Sequence, residues 1–193
     1  MPHPAKLEPT RILAAARTLL EVDGQSGLTM RALARELGVA APSLYLYVES
    51  REDLLRQLTR EGLLEFGRYL SSAIEGIADP SARIHQLADS YAEFASDNPQ
   101  LFALLFGPGP DERLVDPAIA AEASAPLLET LADLAPADQV LNVGQGLWSL
   151  VHGFATLSLA EQFRLGGEPR AAMHHAIDLL ISGLHLAGPE RAR

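Results

Sequence analysis

Cysteine is absent from the 193 residues of this sequence. Disulfide bonds are therefore excluded, and so is any metal site built from thiolate ligands. The first residues also lack the basic segment and short apolar stretch that direct a protein to export. We therefore expect a cytoplasmic protein.

Long apolar runs and strand patterns are also missing. Every stretch of about eighteen residues is interrupted by a charge, a glycine or a histidine, so no membrane-spanning helix is expected. Alternating β-branched residues, which are typical of strands, do not recur, whereas alanine and leucine are abundant in a composition that is 48% hydrophobic. The sequence therefore predicts an all-α fold with either one core or two small ones.

Recognisable catalytic motifs are absent as well. The sequence contains no HExxH zinc motif, no phosphate-binding P-loop, no GxSxG nucleophile motif and no dinucleotide-binding fingerprint. His174 and His175 are adjacent and point to different faces of a helix, which argues against a shared metal ion. We therefore expect that the protein is not an enzyme and has no catalytic residues, metal or cofactor.

Positive charge is scarce, and its distribution is uneven. The 15 Lys and Arg residues against 25 Asp and Glu residues give a net charge of −10. Residues 1–60 hold eight basic and seven acidic residues, a net charge of +1, so residues 61–193 carry the remaining −11. An acidic segment repels nucleic acid, whereas a nearly neutral N-terminal segment can approach it.

Proline, glycine and capping residues divide the chain into about nine helices. Pro9 begins the first helix, and Asp79-Pro80 ends the long fourth helix. Breaks at Asn98-Pro99 and Gly166-Gly167 separate later helices. The predicted ranges are about 9–23, 30–36, 41–47, 51–77, 81–96, 101–106, 117–134, 138–165 and 169–186.

Local signals near the second and third helices predict a helix-turn-helix. Thr29 is a good N-cap for the second helix, and Gly38 supplies the left-handed residue that ends it. Pro42 fits only the first turn of a third helix. Ser50 caps the fourth helix, with Asp53 at the reciprocal position of a capping box. Two short helices joined at a glycine, behind a supporting helix, are the layout of a major-groove DNA reader.

The same stretch resembles the tetracycline repressor (TetR) family of transcriptional regulators. The matching residues are Leu28 to Val39 (LTMRALARELGV), Pro42, Leu44, Tyr45, Tyr47, Ser50, Arg51, Glu52, Leu54 and Leu55. The resemblance implies a helix-turn-helix DNA-binding domain over residues 1–56 and a helical ligand-binding and dimerisation domain over residues 57–193. It also implies a homodimer whose partners are a double-stranded DNA operator and a small-molecule effector.

We call the predicted DNA-binding domain, residues 1–56, the head. Its exposed residues are the candidates for DNA contact, because its apolar residues are needed for its core. The predicted core residues are Leu33, Leu37, Val39, Leu44 and Val48. The resemblance implies that Tyr45, Tyr47 and Arg51 reach backbone phosphates. Thr29 lies at a helix N-terminus, where a phosphate is favoured.

The recognition segment from Ala40 to Val48 lacks the side chains that usually read bases. It has no Arg, Lys, Asn or Gln for a bidentate contact with a purine, so base reading rests on methyl and hydroxyl groups. This uncharged segment favours an alternative, a helical module with a vestigial head that binds another protein. The predicted DNA-binding residues are Thr29, Arg31, Ala41, Pro42, Ser43, Tyr45, Leu46, Tyr47 and Arg51.

Two later stretches resemble the subgroup of this family named for a Trp-His-Gly signature. They are residues 91–107 and residues 147–157, which contain the signature. The resemblance implies an effector pocket and a four-helix dimer interface that includes the final helix. The pocket candidates are Tyr91, Phe94, Phe102, Phe106, Trp148 and His152, and the interface candidates are Gly144, Val151, Phe154, Ile177, Ile181 and Leu184. Aromatic residues at this spacing also occur as simple core packing, so that alternative stays open for the pocket set.

These patterns together predict a ligand-responsive transcriptional repressor. It is expected to bind a pseudo-palindromic operator as a homodimer, with half-sites about one helical turn or more apart. A small-molecule effector of apolar or cationic character is expected to release it. No motif specifies the operator sequence, the regulated genes or the effector.

Overall fold

The computed structural model describes residues 7–107 and 115–186. Within these ranges the chain forms nine α-helices and no β-strand, as the sequence predicts. The helices are α1 (Pro9–Gly27), α2 (Met30–Leu37), α3 (Ala41–Leu44), α4 (Arg51–Ala73), α5 (Pro80–Asp97), α6 (Pro99–Phe106), α7 (Pro117–Ala132), α8 (Val140–Leu159) and α9 (Pro169–Leu186). No helix in the described ranges is long and apolar enough to cross a bilayer.

Two long helices end a few residues before the predicted positions, and the backbone shows why. α4 ends at Ala73, shortly before Gly76 adopts the left-handed conformation with φ of 77°. α8 ends at Leu159 rather than near residue 165, and Glu161 follows with φ of 52°. Left-handed residues stop a helix because the next turn cannot continue the hydrogen-bond ladder.

The chain forms two compact units. The first contains α1, α2, α3, α4 as far as Leu64, α6, and the start of α7 as far as Ala120. At Gly62 the helix α4 comes so close to α6 that an added Cβ would lie 2.9 Å from Leu101 Cδ1. Fully buried side chains of this unit include Ile12, Ala16, Leu20, Leu28, Leu33, Leu44, Leu54 and Leu101.

A side chain of α1 caps the N-terminus of α6. Asn98 stands at the N-cap position but makes no side-chain cap. Instead, the Glu21 carboxylate accepts hydrogen bonds from the amides of Gln100, at 3.2 Å, and Leu101, at 3.0 Å. Arg17 lies 3.3 Å from Glu21 and donates to Asn98 Oδ1 at 2.6 Å. A carboxylate is favoured there because the first amides of a helix have no intrahelical partner and the dipole is positive.

The attachment of α6 bears on the predicted domains. The division after residue 56 stays a prediction, but the first compact unit continues to Leu64 and takes in α6 from later in the chain. α6, which is distant in sequence, is therefore held against α1.

The second unit contains the rest of α4 together with α5, α7 from Ala121 onward, α8 and α9. α5 packs against α8 and α9, and α8 packs against α9. Gly67 in α4 lies so close to α7 that an added Cβ would be 2.9 Å from the Cα of Ala123. Arg83 in α5 pairs with Asp133, just after α7, at 2.6 Å. The helices of this unit are therefore joined by close backbone approach and by ion pairs.

Candidate DNA-binding site

The first half of the helix-turn-helix is fixed by its two predicted capping residues. The Thr29 hydroxyl accepts a hydrogen bond from the Ala32 amide at 3.1 Å and so caps α2. Gly38 ends α2 with φ of 68° and ψ of 32°, and its amide donates to the Arg35 carbonyl at 3.2 Å. Both predictions are confirmed, because each depends only on residues within one helical turn.

The start of α4 is fixed by a second cap. The Ser50 hydroxyl accepts from the Asp53 amide at 3.0 Å, and Asp53 Oδ2 accepts from the Glu49 amide at 3.1 Å. The predicted reciprocal cap is therefore present, with Asp53 reaching one residue further back than in the usual capping box. Side-chain caps therefore fix the backbone at both ends of the helix-turn-helix, at Thr29 and at Ser50.

The recognition segment is shorter as a helix than predicted. α3 ends at Leu44 rather than at Tyr47, and the amides of Tyr47 and Val48 both donate to the Leu44 carbonyl, at 2.9 and 3.0 Å. Leu44 and Val48 are buried, whereas Tyr45 is 54% exposed, Leu46 82% and Tyr47 38%. The turn therefore exposes three large side chains to solvent, while the side chains at its two ends, Leu44 and Val48, are buried in the core.

The remaining predicted contact residues lie on the same head with different exposure. Thr29, Arg31 and Pro42 are exposed, whereas Ala41 and Ser43 are half-buried. The Thr29 hydroxyl accepts from a backbone amide, so its own hydrogen is still available to a phosphate oxygen.

Four of the five predicted core residues of the head are buried. They are Leu33, Leu37, Leu44 and Val48. Val39 is only half-buried, because it lies in the turn directly after Gly38, where the chain has left α2. The core prediction is therefore confirmed except at this position.

Arg51 was predicted as a phosphate contact, and its guanidinium lies against the protein backbone. Nε donates to the Leu28 carbonyl at 2.8 Å, and Nη2 donates to the Gln25 carbonyl. Both acceptors are at the C-terminal end of α1, where helical carbonyls lack partners and a cation is favoured. The sequence gives no signal for this contact, because a main-chain carbonyl is present at every residue, whatever its type.

The six predicted pocket residues are divided between the two units. Phe102 and Phe106 belong to the first unit, with ring centroids 5.3 Å apart. Tyr91 and Phe94 are buried in the second unit, each edge-on to Phe66 at 5.4 and 5.0 Å. Tyr91 and Phe94 therefore take part in the packing of a core, the alternative that the sequence left open for them.

Trp148 and His152 form a polar contact with Tyr91 in the second unit. The Tyr91 hydroxyl is 2.9 Å from His152 Nδ1, and the Trp148 and His152 rings are 5.4 Å apart. Burial raises the pKa of Tyr91 and lowers the pKa of His152. A protonated phenol can therefore donate to a neutral imidazole. Trp148 is 44% exposed.

Most of the predicted interface residues are buried within the single chain. Val151, Ile177 and Ile181 are buried, and Gly144 is buried against Leu128, whose Cδ2 would lie 3.0 Å from an added Cβ. These four residues are therefore packed inside the single chain, and their part in a dimer interface stays a prediction.

Other residues form the exposed apolar surface of α8 and α9. Of the predicted interface set, Phe154 and Leu184 remain partly exposed. The large exposed apolar side chains on the two helices are Leu141, Trp148, Leu157, Leu159 and Leu179.

A cleft of about 170 Å³ opens in the second unit. Burial alone would raise the pKa of Asp89. Hydrogen bonds from Arg170 at 2.7 Å and His174 at 2.8 Å outweigh this effect and hold the pKa of Asp89 below its ordinary value. The lining of the cleft thus combines charged and apolar side chains, and it contains none of the predicted pocket residues. Its lining residues are Asp89, Ala92, Glu93, Ser96, Phe154, Arg170 and Met173.

The head defines the class of protein. A capped helix-turn-helix that exposes its recognition turn over a small buried core is the DNA-binding part of a transcriptional regulator. Two family models match the chain. Residues 12–58 match the bacterial regulatory proteins of the tetR family, and residues 84–180 match the tetracyclin repressor-like C-terminal domain.

Individual relatives agree with the family models. The chain is 30% identical over 163 residues to an uncharacterized HTH-type transcriptional regulator of Mycobacterium tuberculosis, covering 81% of this chain and 72% of the relative. It is 26% identical over 175 residues to the uncharacterized HTH-type transcriptional regulator YobS of Bacillus subtilis, covering 90% of each. A protein of unknown function from Rhodococcus sp. RHA1 superposes with a TM-score of 0.80 at 27% identity, covering 95% of this chain and 98% of that one. The chain belongs to the TetR family of transcriptional regulators.

Proposed function

We propose that this protein is a ligand-responsive repressor that binds a pseudo-palindromic operator as a homodimer and is released by a small-molecule effector. The observation that carries the proposal is the recognition turn, where Tyr45, Leu46 and Tyr47 are exposed while Leu44 and Val48 are buried. A helix-turn-helix presents such a segment to the major groove. We place the protein in the cytoplasm, where its operator is accessible.

In this proposal the DNA contacts divide into phosphate and base contacts. The hydroxyls of Tyr45 and Tyr47 donate to phosphates, and Thr29 and Arg31 do so at the first turn of α2. Leu46, the most exposed of the recognition residues, contacts a thymine methyl group, since it has no polar atom with which to read a base edge. The smaller groups of Ala41, Pro42 and Ser43 complete the base-reading surface.

The homodimer would use the exposed apolar face of α8 and α9. Leu141 is 65% exposed and Leu179 62%, and exposed apolar patches of this kind commonly mark subunit interfaces. Phe154 and Leu184, which stay partly exposed, are retained from the predicted interface set. A two-fold axis through this face would pair α8 and α9 with their copies in a four-helix bundle.

The cleft of the second unit supports an effector of small size. Its volume of about 170 Å³ is less than that of a typical drug-sized site, which is about 300–1,000 Å³. Asp89 and Glu93 supply two negative charges to the lining, and Arg170, which pairs with both, supplies one positive charge, so the lining is net negative. Phe154 and Met173 supply apolar surface. These features favour a small organic cation, in keeping with the expected apolar or cationic effector.

The test is a mobility-shift titration of the purified protein on the DNA upstream of its own gene. An unrelated duplex serves as the control, and the titration is repeated at several salt concentrations. A specific complex that protects a pseudo-palindrome supports the repressor, and its release by small organic cations but not by anions supports the effector class. If all duplexes bind equally weakly, the operator is elsewhere in the genome or the head is vestigial. Selection from a random duplex library then decides between these two.

A further inference from the structure

Arg51 joins the two ends of the helix-turn-helix. Leu28, which accepts from its Nε, comes directly before the N-cap of α2, and Arg51 itself directly follows Ser50, the N-cap of α4. The bonded positions are 23 residues apart along the chain. Residues 29–50, which comprise α2, the turn, α3 and the recognition turn, lie wholly between them. We call these two hydrogen bonds, to Leu28 and Gln25, the Arg51 clamp.

The geometry suits a guanidinium and no other cation. Nε and Nη2 are parallel donors on one planar fork, and they reach two different carbonyls at the end of α1. A lysine ammonium is a single point with rotating donors, and it cannot hold two separated acceptors in a fixed plane. The acceptors are themselves placed by Gly24, whose φ of 67° and ψ of −176° are open essentially to glycine alone.

We infer that Arg51 is a positioning residue, which acts on DNA binding through the clamp and not by contacting a phosphate. By fixing the entrance of the helix-turn-helix to its exit, the clamp sets the angle at which α3 and the recognition turn meet the groove. This inference rests on the proposed DNA-binding function. It changes the role that the family resemblance implies for this position.

The experiment compares Arg51→Ala and Arg51→Lys in the full-length protein, with Arg60→Ala as the control. Arg60 is an exposed cation of the same helix, paired with Glu61 outside the clamp. The probes are a duplex selected by the wild-type protein from a random library and an unselected duplex. Affinity is measured by fluorescence anisotropy across a KCl series, at a temperature at which circular dichroism shows every variant folded. Amide hydrogen exchange is followed over residues 29–50 without DNA.

We expect both Arg51 variants to bind the selected duplex about tenfold or more weakly, as for a lost base-specific contact. The salt slope on the unselected duplex should stay at the wild-type value, because no phosphate contact is removed. Exchange over residues 29–50 should become faster in both variants and stay unchanged in Arg60→Ala. Lysine should give no rescue.

Three results would overturn the inference. Rescue by lysine, or a salt slope reduced by about 0.9 for each head, makes Arg51 a phosphate contact. Unchanged affinity and slope in a variant that only melts earlier makes it a plain stabiliser. If the wild-type protein selects no duplex at all, the proposed function fails first, and that failure is recognised because it does not involve the variants.

Gly24→Ala keeps the test informative if Arg51→Ala does not fold. It leaves Arg51 intact but disfavours the backbone that presents the acceptors. We expect the same loss of selected-duplex affinity at constant salt slope, and the double variant with Arg51→Lys should be no worse than either single variant. Additive losses would mean that Gly24 and Arg51 act separately, and the clamp would be rejected.

Discussion

At the scale of single residues, the polar groups that the recognition turn exposes are tyrosine hydroxyls and not charged side chains. Tyr45 and Tyr47 expose their rings and hydroxyls at the end of α3, and no cation accompanies them between Ala40 and Val48. A phenol can bond a phosphate without releasing a condensed counterion, because it carries no charge. Such contacts would add affinity that changes little with salt.

The tyrosine contacts can be tested by removing only the hydroxyls. Tyr45→Phe and Tyr47→Phe should each weaken binding to every duplex by about tenfold or more, since a hydrogen bond to a charged group contributes about 1.5–3 kcal/mol. The salt slope should not change. Tyr69→Phe, which alters an exposed tyrosine near Glu93 in the second unit, is the matched control. A loss confined to one base position would instead assign the hydroxyl to base reading.

His152 gives a second prediction at this scale, on pH. Burial lowers its pKa from the ordinary 6.5, so the folded protein binds this proton less readily than the unfolded chain. The resulting stability is present above pH 6.5 and is lost as the pH falls below that value. Urea unfolding between pH 8 and pH 5 should therefore show a smaller loss for His152→Asn than for wild type.

The exposed His175 provides the control for that series. His175→Asn removes a histidine from α9 without touching the contact to Tyr91. Its unfolding free energy should follow the wild-type pH dependence. If the two variants behave alike, the burial of His152 does not govern the acid sensitivity.

At the scale of helices, α6 depends on a side chain that lies about 80 positions earlier in the sequence. Glu21→Ala removes the acceptor for two helix amides, and we expect a loss of about 1–3 kcal/mol in unfolding free energy. Glu21→Gln keeps one oxygen acceptor and should lose less. Hydrogen exchange at Gln100 and Leu101 locates the effect, while Glu36→Ala, an exposed glutamate of α2, should stay within about 0.5 kcal/mol of wild type. Unchanged exchange at α6 in Glu21→Ala would contradict the cap.

The elements also show which structural features a sequence can specify. Thr29, Gly38 and the Ser50–Asp53 pair were predictable because each makes its bond within one turn of its own position. The Glu21 cap and the Arg51 clamp were not, because each joins distant positions and its partners are backbone groups. Local chemistry identified the head, but it did not reveal that α6 belongs to the same unit.

The dimer-facing side of α8 could not be specified from the sequence, for a different reason. α8 is apolar on nearly every side, so its pattern does not say which stripe faces its own chain. The structure turns Gly144 and Val151 inward and leaves Leu141 and Trp148 exposed. Choosing between the stripes required the positions of α5 and α7, which no periodicity in α8 encodes.

At the scale of the whole molecule, the chain has a single tryptophan, and it lies on the proposed dimer face. Trp148 is 44% exposed in one chain, so pairing of two α8 helices should shield it further. Dilution through the dissociation range should shift its emission to longer wavelength and increase acrylamide quenching. Leu141→Glu should place a charge in the interface and give the monomer-like emission at every concentration. Constant emission while sedimentation shows dissociation would move the interface away from Trp148.

The attachment of α6 has a consequence for how such regulators can be recombined. The helix falls within residues 84–180, the stretch that matches the C-terminal family domain, yet it is held by Glu21 and Arg17 of the head. A chimera that joined this head to a foreign body after Leu64 would place an unmatched helix over the carboxylate of Glu21. A chimera of this head should therefore fold well only when α6, which covers the surface of α1, is transferred together with it. The first compact unit is thus built from two separate stretches of sequence, which a chimera has to transfer together.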